Sequence, residues 1–300
     1  MTGPPPPSPH VPTFQVATDR FLTRSRFAAR TRESYAQDLA PLLAVMGDRS
    51  VAALTDHAAA FLAAQEHLAA GTYNRRYAAL RSLARWCQRQ GWLVGDPLAG
   101  LERRPQPRSV PRALDPEQVE AALRSVRDVR DRALFWLIYD GGLRCREALA
   151  INLEDIDWTE RAIRIQGKGD RPREMFFSRR VSGYLDAYLK ARGEPIAGPL
   201  FVTWRRARAP RRADLTPEGY ARLSYRQADT RWKRATPGWD LHQLRHTAIS
   251  ARAARGYTEV ELKRFSGHQS LRSLEGYIAD NREAAKRKAR DWDRRDGAHG

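Results

Sequence analysis

The sequence predicts a mainly α-helical protein with a small β-hairpin, an N-terminal helical part joined to a C-terminal α+β part. Three observations predict this. Apolar residues recur at helical spacing from about residue 14 to residue 100. Two β-rich runs, AIRIQ and REMFF, flank Gly167-Lys168-Gly169-Asp170, a turn composition. A stretch rich in proline and arginine, LERRPQPRSVPRA, interrupts the helical pattern at 101–113.

Residues 1–12 (MTGPPPPSPHVP) are too proline-rich to pack and are expected as a disordered tail. Thr31 opens TRESYAQDLAPLLAVMG, closed by Gly47. Thr55 and Asp56 open an Ala-rich helix running to Gly71, and Thr72 caps YNRRYAALRSLARWCQRQ, closed by Gly91. In that last helix Tyr73, Tyr77, Leu80, Ala84 and Cys87 form a core stripe, with Arg75, Arg76, Arg81, Arg85 and Arg89 largely off it. Such a basic face suits a polyanion, and it equally suits the solvated surface of a bundle. These helices make a domain at 13–102, and residues 103–113 read as an extended linker crossing something anionic, with Arg103 and Arg104, like Arg75, Arg76 and Arg81 on the helix, as candidate DNA contacts.

The second domain is placed at 114–280. Asp115-Pro116 supplies an N-cap followed by proline at the first helical position, VEAAL and RDRALFWLIYDGG are core helices, and Gly141 and Gly142 end the second. A short helix, RCREALAI, precedes the hairpin. Helices follow at 178–192, 217–234, 241–255, 258–265 and 270–279, with a charged helical tail at 281–300.

The chain has 53 Lys and Arg against 35 Asp and Glu, a formal net charge of +18. Its 42% hydrophobic content can bury a core, which excludes wholesale disorder. No run approaches the roughly 20 apolar residues of a membrane span, since ALFWLIY stops at Asp140. The N-terminus has no apolar signal core, and Cys87 and Cys145 are the only cysteines, so a cytoplasmic protein is expected. The basic excess peaks at 201–250, where Arg205, Arg206, Arg208, Arg211 and Arg212 cluster as candidate phosphate contacts or as a disordered basic loop. Lysine is scarce, six residues in all, and Lys168 is the only one before residue 190. An arginine keeps its proton, whereas a lysine can be tuned to release one.

The remaining chemistry lies in scattered residues. Arg144 follows Gly141-Gly142-Leu143, Lys168 stands between glycines, His242 and Arg245 lie three apart on one helix, His268 follows Gly267, and Tyr277 comes nine residues later. His246, four after His242, could suggest a zinc pair, but no HExxH glutamate and no evident third ligand accompany it. In their order and context, GGLRCREALAINLEDID, GKGDRPREMFF, HQLRHTAISARAARG and SGHQSLRSLEGYI resemble the signatures of the tyrosine recombinase (phage integrase) family. TRESYAQDL and TYNRRYAALRSLARWCQRQGWLVGDPL resemble that family's helical core-binding domain, so the similarity spans about 14–280. The chain departs from the usual pattern at Ser266, where leucine is common, and at Cys145-Arg146, where Ile-Ser is common.

The resemblance implies a SAM-like core-binding domain, a tyrosine recombinase catalytic domain, and an Xer-like two-domain organisation. It implies site-specific cutting and rejoining of DNA through a 3′-phosphotyrosyl intermediate, without metal, ATP or other cofactor. Tyr277 would be the nucleophile, His242 its proton acceptor, Arg144 and Arg245 the phosphate clamp, Lys168 the acid for the leaving 5′-oxygen, and His268 a phosphate hydrogen-bond donor. Glu147, one turn after Arg144, would orient its neighbours. The implied partners are duplex DNA with an inverted-repeat site, further copies forming a tetramer, and an accessory protein; the 281–300 segment either docks in trans or is a frayed, solvated tail. A type IB topoisomerase and a catalytically silent DNA-binding regulator are the alternatives.

Overall fold

The computed structural model describes residues 11–25, 27–106, 113–166, 172–206, 215–267 and Leu274 of the 300. Lys168, Arg208, Arg211, Arg212, His268 and Tyr277 lie outside the described residues, as do the 281–300 tail and, Leu274 apart, the helix expected at 270–279. The protein is mainly helical with small antiparallel sheets, and it divides into two compact units, Met1–Arg108 and Ser109–Gly300. No described helix is long and apolar enough to cross a membrane.

The first unit holds α1 (Phe14–Leu22), α2 (Ala29–Met46), α3 (Leu54–Ala63) and α4 (Ala70–Arg89). Helix α1 was not singled out as a separate element by sequence, although Thr13 caps it by accepting from the Val16 amide at 3.3 Å and Phe14, Ala17, Thr18 and Phe21 bury one face. Two helix boundaries need correction. Helix α3 stops at Ala63, and Gly71 sits in the first turn of α4, whose N-cap is Ala69 rather than Thr72. A Cβ at Gly71 would lie 3.1 Å from Gln106 Nε2, so this glycine makes room for the segment after the bundle instead of ending a helix. The core stripe of α4 is buried as its spacing predicts, with Tyr77, Leu80, Ala84 and Cys87 packed against Phe21, Leu39 and Leu42. Burial pushes the Cys87 thiol up to about 12, so it stays protonated.

The segment expected to start a linker at 103 begins as part of this unit. Asn74 exchanges hydrogen bonds with the Arg104 backbone, donating to its carbonyl at 2.9 Å and accepting from its amide at 2.8 Å. The Arg104 guanidinium donates to the Glu66 and Leu68 carbonyls at 3.0 Å and stacks 3.9 Å from the Tyr73 ring centre.

The second unit is built around α6 (Val129–Gly141), in which every residue from Ala133 to Tyr139 is buried. It is preceded by α5 (Pro116–Ser125), which Asp115 caps by accepting from the Glu117 amide at 2.9 Å with Pro116 at the first helical position. Next come α7 (Cys145–Ala150) and the sheet β1 (Ile156–Asp157), β2 (Ala162–Ile165) and β3 (Arg173–Phe176), antiparallel in the order β1-β2-β3. AIRIQ and REMFF thus pair as expected, with Ile163 opposite Met175 and Ile165 opposite Arg173. Helix α8 (Arg179–Arg192) packs beside α6.

A second hairpin, β4 (Val202–Arg206) and β5 (Tyr220–Arg222), overturns the helix expected from 217. Gly219 adopts φ +87°, which breaks any helix there, and α9 (Tyr225–Ala235) starts only after Ser224 and Gln227 close a capping box. Helices α10 (Leu241–Ala254) and α11 (Glu259–Ser266) complete the described unit, and Leu274 is fully buried with Ile249, Ala253 and Leu262.

Candidate active site

Helix α6 ends in a left-handed residue, Gly142 at φ 56° and ψ 30°, and this turn delivers Arg144 to the N-cap of α7. Only glycine fits: a Cβ on Gly142 would fall 2.3 Å from Phe265 Cε1. Gly141 is crowded in its turn by Met175 of β3, with a Cβ falling 2.8 Å from its sulfur, so the Gly-Gly signature has a steric cause on both sides of the α6 terminus.

The last carbonyls of α6 have no partner within their own helix, and α10 supplies one from the side. Arg245 is 3% exposed; its Nη1 donates to the Gly142 carbonyl at 2.6 Å and its Nη2 to the Ser266 carbonyl at 2.8 Å. One turn pair further along α10, Arg252 donates to the Asp140 carbonyl and stacks 3.9 Å from the Phe265 ring centre. Cations at a helix C-terminus are also favoured by its dipole.

Glu147, in the first turn of α7, gathers the positive groups. It accepts from the Arg144 amide at 3.0 Å and from Arg144 Nη1 at 2.7 Å, and its Oε2 lies 3.9 Å from Arg245 Nη1. Burial alone would raise its carboxyl, but the hydrogen bond and charge of Arg173, with the bonds from Arg144, outweigh that and hold it below the ordinary carboxylate range. Glu147 therefore stays ionised at neutral pH and orients the cations around it.

Arg173 is the member that sequence reasoning missed. It begins β3 and grips Glu147 with both nitrogens, Nη2 to Oε2 at 3.0 Å and Nη1 to Oε1 at 3.4 Å. Strand alternation carried the signal: Arg173 shares the face of buried Met175, whereas Glu174 and Phe176 point outward. A charge on the inward face of a strand needs a partner.

His242 lies in the first turn of α10, within electrostatic reach of Arg245 and Arg144. Partial desolvation, then the charges of Arg245 and Arg144, lower its pKa from the ordinary 6.5, which keeps the ring neutral and able to accept a proton. The unfolded chain protonates His242 near pH 6.5 while the folded site resists, so the stability it contributes is complete above 6.5 and is lost as pH falls through the lowered value. A pH–rate profile of strand cleavage should accordingly keep its plateau down past pH 6.5. An acid limb centred above 6.5 that disappeared in His242→Gln would contradict this assignment.

Cys145, next to Arg144, is buried and its thiol is pushed up to about 12, so it offers no competing nucleophile. Arg146 turns away and lies 5.4 Å from the Tyr225 ring centre. Ser266 is fully buried, its hydroxyl donating to the Leu262 carbonyl at 2.6 Å. Among the described residues no group of three His, Cys, Asp or Glu could hold a metal ion.

The structure thus brings together Arg144, Glu147, His242 and Arg245. The candidate DNA-contact arginines are placed less uniformly. Arg75 is exposed but paired at 2.7 Å with the buried Asp38, Arg76 donates to Gln65 at 2.9 Å, and Arg81 donates to the Tyr77 hydroxyl at 3.0 Å. Arg103, Arg205 and Arg206 are exposed, whereas Arg104 is committed to carbonyls of its own unit.

A family model described as the phage integrase family matches residues 112–284, more than half of the chain. The chain belongs to that family. Among the tyrosine recombinases XerC, that of Myxococcus xanthus is 30% identical over 217 residues, covering 68% of this chain and 69% of the relative. That of Mycobacterium tuberculosis is 29% identical over 279 residues, covering 83% and 88%. The fold is shared with XerH recombinase bound to a palindromic difH substrate, at TM-score 0.64 and 20% identity, covering 87% of this chain and 80% of that one. It is shared also with the Tn1549 transposon integrase in complex with a circular intermediate DNA, at TM-score 0.67 and 15% identity, covering 93% and 98%. This phage integrase family member is a tyrosine-type DNA strand transferase, a site-specific recombinase, and the topoisomerase and silent-regulator alternatives are not favoured.

Proposed function

We propose that the chain binds duplex DNA at a site of inverted repeats and exchanges strands there through Tyr277. The observation that carries this reading is the buried Arg245, held by the Gly142 and Ser266 carbonyls, close to the ionised carboxylate that holds Arg144, with a neutral histidine on the same helix as Arg245. Such a group suits an anionic phosphorus centre: planar guanidinium forks match phosphate oxygens, and fixed donors need no reorganisation as charge develops.

In the proposed step the Tyr277 oxygen attacks phosphorus and the bond from phosphorus to the 5′-oxygen breaks. A phenol with pKa of about 10 needs an acceptor for its proton, the role assigned to His242. Lys168 protonates the departing 5′-oxygen, and His268 donates a hydrogen bond to the phosphate. The product is a 3′-phosphotyrosyl link, which a 5′-hydroxyl from the partner strand later attacks to release Tyr277. One phosphoester replaces another at each stage, so neither ATP nor an external cofactor is required. Four copies hold two duplexes, with the 281–300 segment docking into a neighbour and an accessory protein as a further partner. Arg75, Arg76, Arg81, Arg103, Arg205, Arg206, Arg208, Arg211 and Arg212 contribute phosphate contacts, and the protein works in the cytoplasm.

A selection from random DNA tests this reading. Full-length protein is incubated with a library of nicked duplexes of randomised arm sequence, in which cleavage releases a short oligonucleotide and strands the covalent product. Detergent-resistant adducts are recovered, the DNA arms sequenced, and the attached peptide mapped. The expected result is inverted-repeat arms and a phosphotyrosyl peptide containing Tyr277. Attachment at another residue, or sequence-specific binding without any adduct, would overturn the reading.

A further inference from the structure

We infer that Arg173 is a positioning residue for strand transfer, holding Glu147 and, through it, Arg144. This rests on the reading of Arg144 as a phosphate ligand. Three observations carry it. First, the two guanidiniums share one carboxylate: Arg173 occupies both Glu147 oxygens, and Arg144 takes Oε1 with its side chain and Oε2 with its amide. Second, the two differ in access, the Arg173 side chain being 17% exposed and that of Arg144 43%. Arg144 therefore faces solvent and an incoming phosphate, while Arg173 backs the carboxylate from within.

Third, Arg173 also covers the turn that ends α11. Gly267 adopts φ +64°, and a Cβ there would lie 2.5 Å from Arg173 Cζ, so the guanidinium packs directly on the glycine backbone. One side chain on β3 thus ties together the start of α7, with Arg144, and the end of α11, one residue before His268. Its own strand follows the segment that contains Lys168. A bidentate fork fixes both the distance and the plane of Glu147, which a single ammonium contact cannot do.

The test compares Arg173→Ala, Arg173→Lys and Arg173→Gln in the full chain, using a nicked duplex recovered from the library and single-turnover conditions with saturating protein. Misplacing a reacting group by about 1 Å can cost roughly 100-fold, so Arg173→Ala should slow adduct formation about 10- to 100-fold while gel-shift affinity stays within about twofold. Arg173→Lys should recover only part of the rate. Combining Arg173→Ala with Glu147→Gln should be no slower than the slower single variant, because both act through one contact. Unchanged adduct rates, additive losses in the double variant, or a fall confined to affinity would each overturn the inference, the last two pointing to direct contact with DNA. A second measurement is independent of catalysis: phenylglyoxal labelling of the free protein, read by peptide mass spectrometry, should modify Arg144 faster in Arg173→Gln than in the parent. Equal labelling would defeat the positioning role even if the parent formed no adduct at all.

Discussion

Replacing Arg245 by lysine is expected to reduce adduct formation by roughly 10²- to 10³-fold, the loss seen when one preorganised transition-state donor is removed. Charge is retained in this variant, so the effect isolates geometry. Arg245 is anchored by two separate nitrogens on two carbonyls, Gly142 and Ser266, which belong to different ends of the site. An ammonium cannot span both while also facing a phosphate. The carbonyl it abandons is buried, and each unsatisfied buried group costs about 1–3 kcal/mol, so unfolding by urea should report a parallel loss of about that size. Arg245→Ala should lose both carbonyl partners and fall further in stability. Full cleavage by Arg245→Lys in single-turnover assays would remove Arg245 from the proposed phosphate clamp.

The largest loss of stability is expected from Arg130→Ala, about 3–5 kcal/mol by the usual cost of breaking a buried ion pair on one side. Arg130 is fully buried under β4. Its Nε and Nη2 donate to Asp131 Oδ1 at 2.9 and 2.6 Å, and its Nη1 donates to the Val202 carbonyl at 3.0 Å. Among the described residues Asp131 has one other charged partner, Arg231, at 3.0 Å. Removing Arg130 leaves the buried carboxylate only the half-exposed Arg231 as a cation, whereas Arg130→Met combined with Asp131→Leu removes both buried charges and should recover most of the loss. Calorimetry of the full chain, reading the transition of the second unit, distinguishes the cases. A double variant as unstable as Arg130→Ala would show that packing rather than the under-compensated charge sets the cost.

How legible this was varied by element. Helix α4 could be read directly, because its apolar stripe is regular and its burial follows the stripe. Helices α5 and α6 could be read because Asp115-Pro116 and Gly142 are strong start and stop signals whose side chains and φ angles act locally. The β4–β5 hairpin could not, because Tyr220–Arg222 is too short to show alternation and its pairing with Val202–Arg206 spans a separation no local rule covers. Gly71 misled for a related reason: its role is set by Gln106, thirty-five residues away in sequence.

Within the site, motif order alone gathered Arg144, His242 and Arg245, yet it was silent on what holds them. The carbonyl clamps of Arg245 and Arg252 and the fork of Arg173 join residues far apart in the chain. Arg104 shows the converse. Its neighbours in sequence suggested a phosphate contact, but three carbonyls and the Tyr73 ring claim it, which only the folded geometry reveals.

The clamp between α10 and the end of α6 bears on control as well as on chemistry. Separating Arg245 from Gly142 and Ser266 would uncover buried carbonyls on two segments, a cost of several kcal/mol at about 1–3 per group. A partner protein or a bend in DNA would have to supply that much to pull the arginine aside. The cationic half of the site is therefore an always-on component, set at the moment the second unit folds. A switch that times recombination gains more by acting elsewhere than on this clamp.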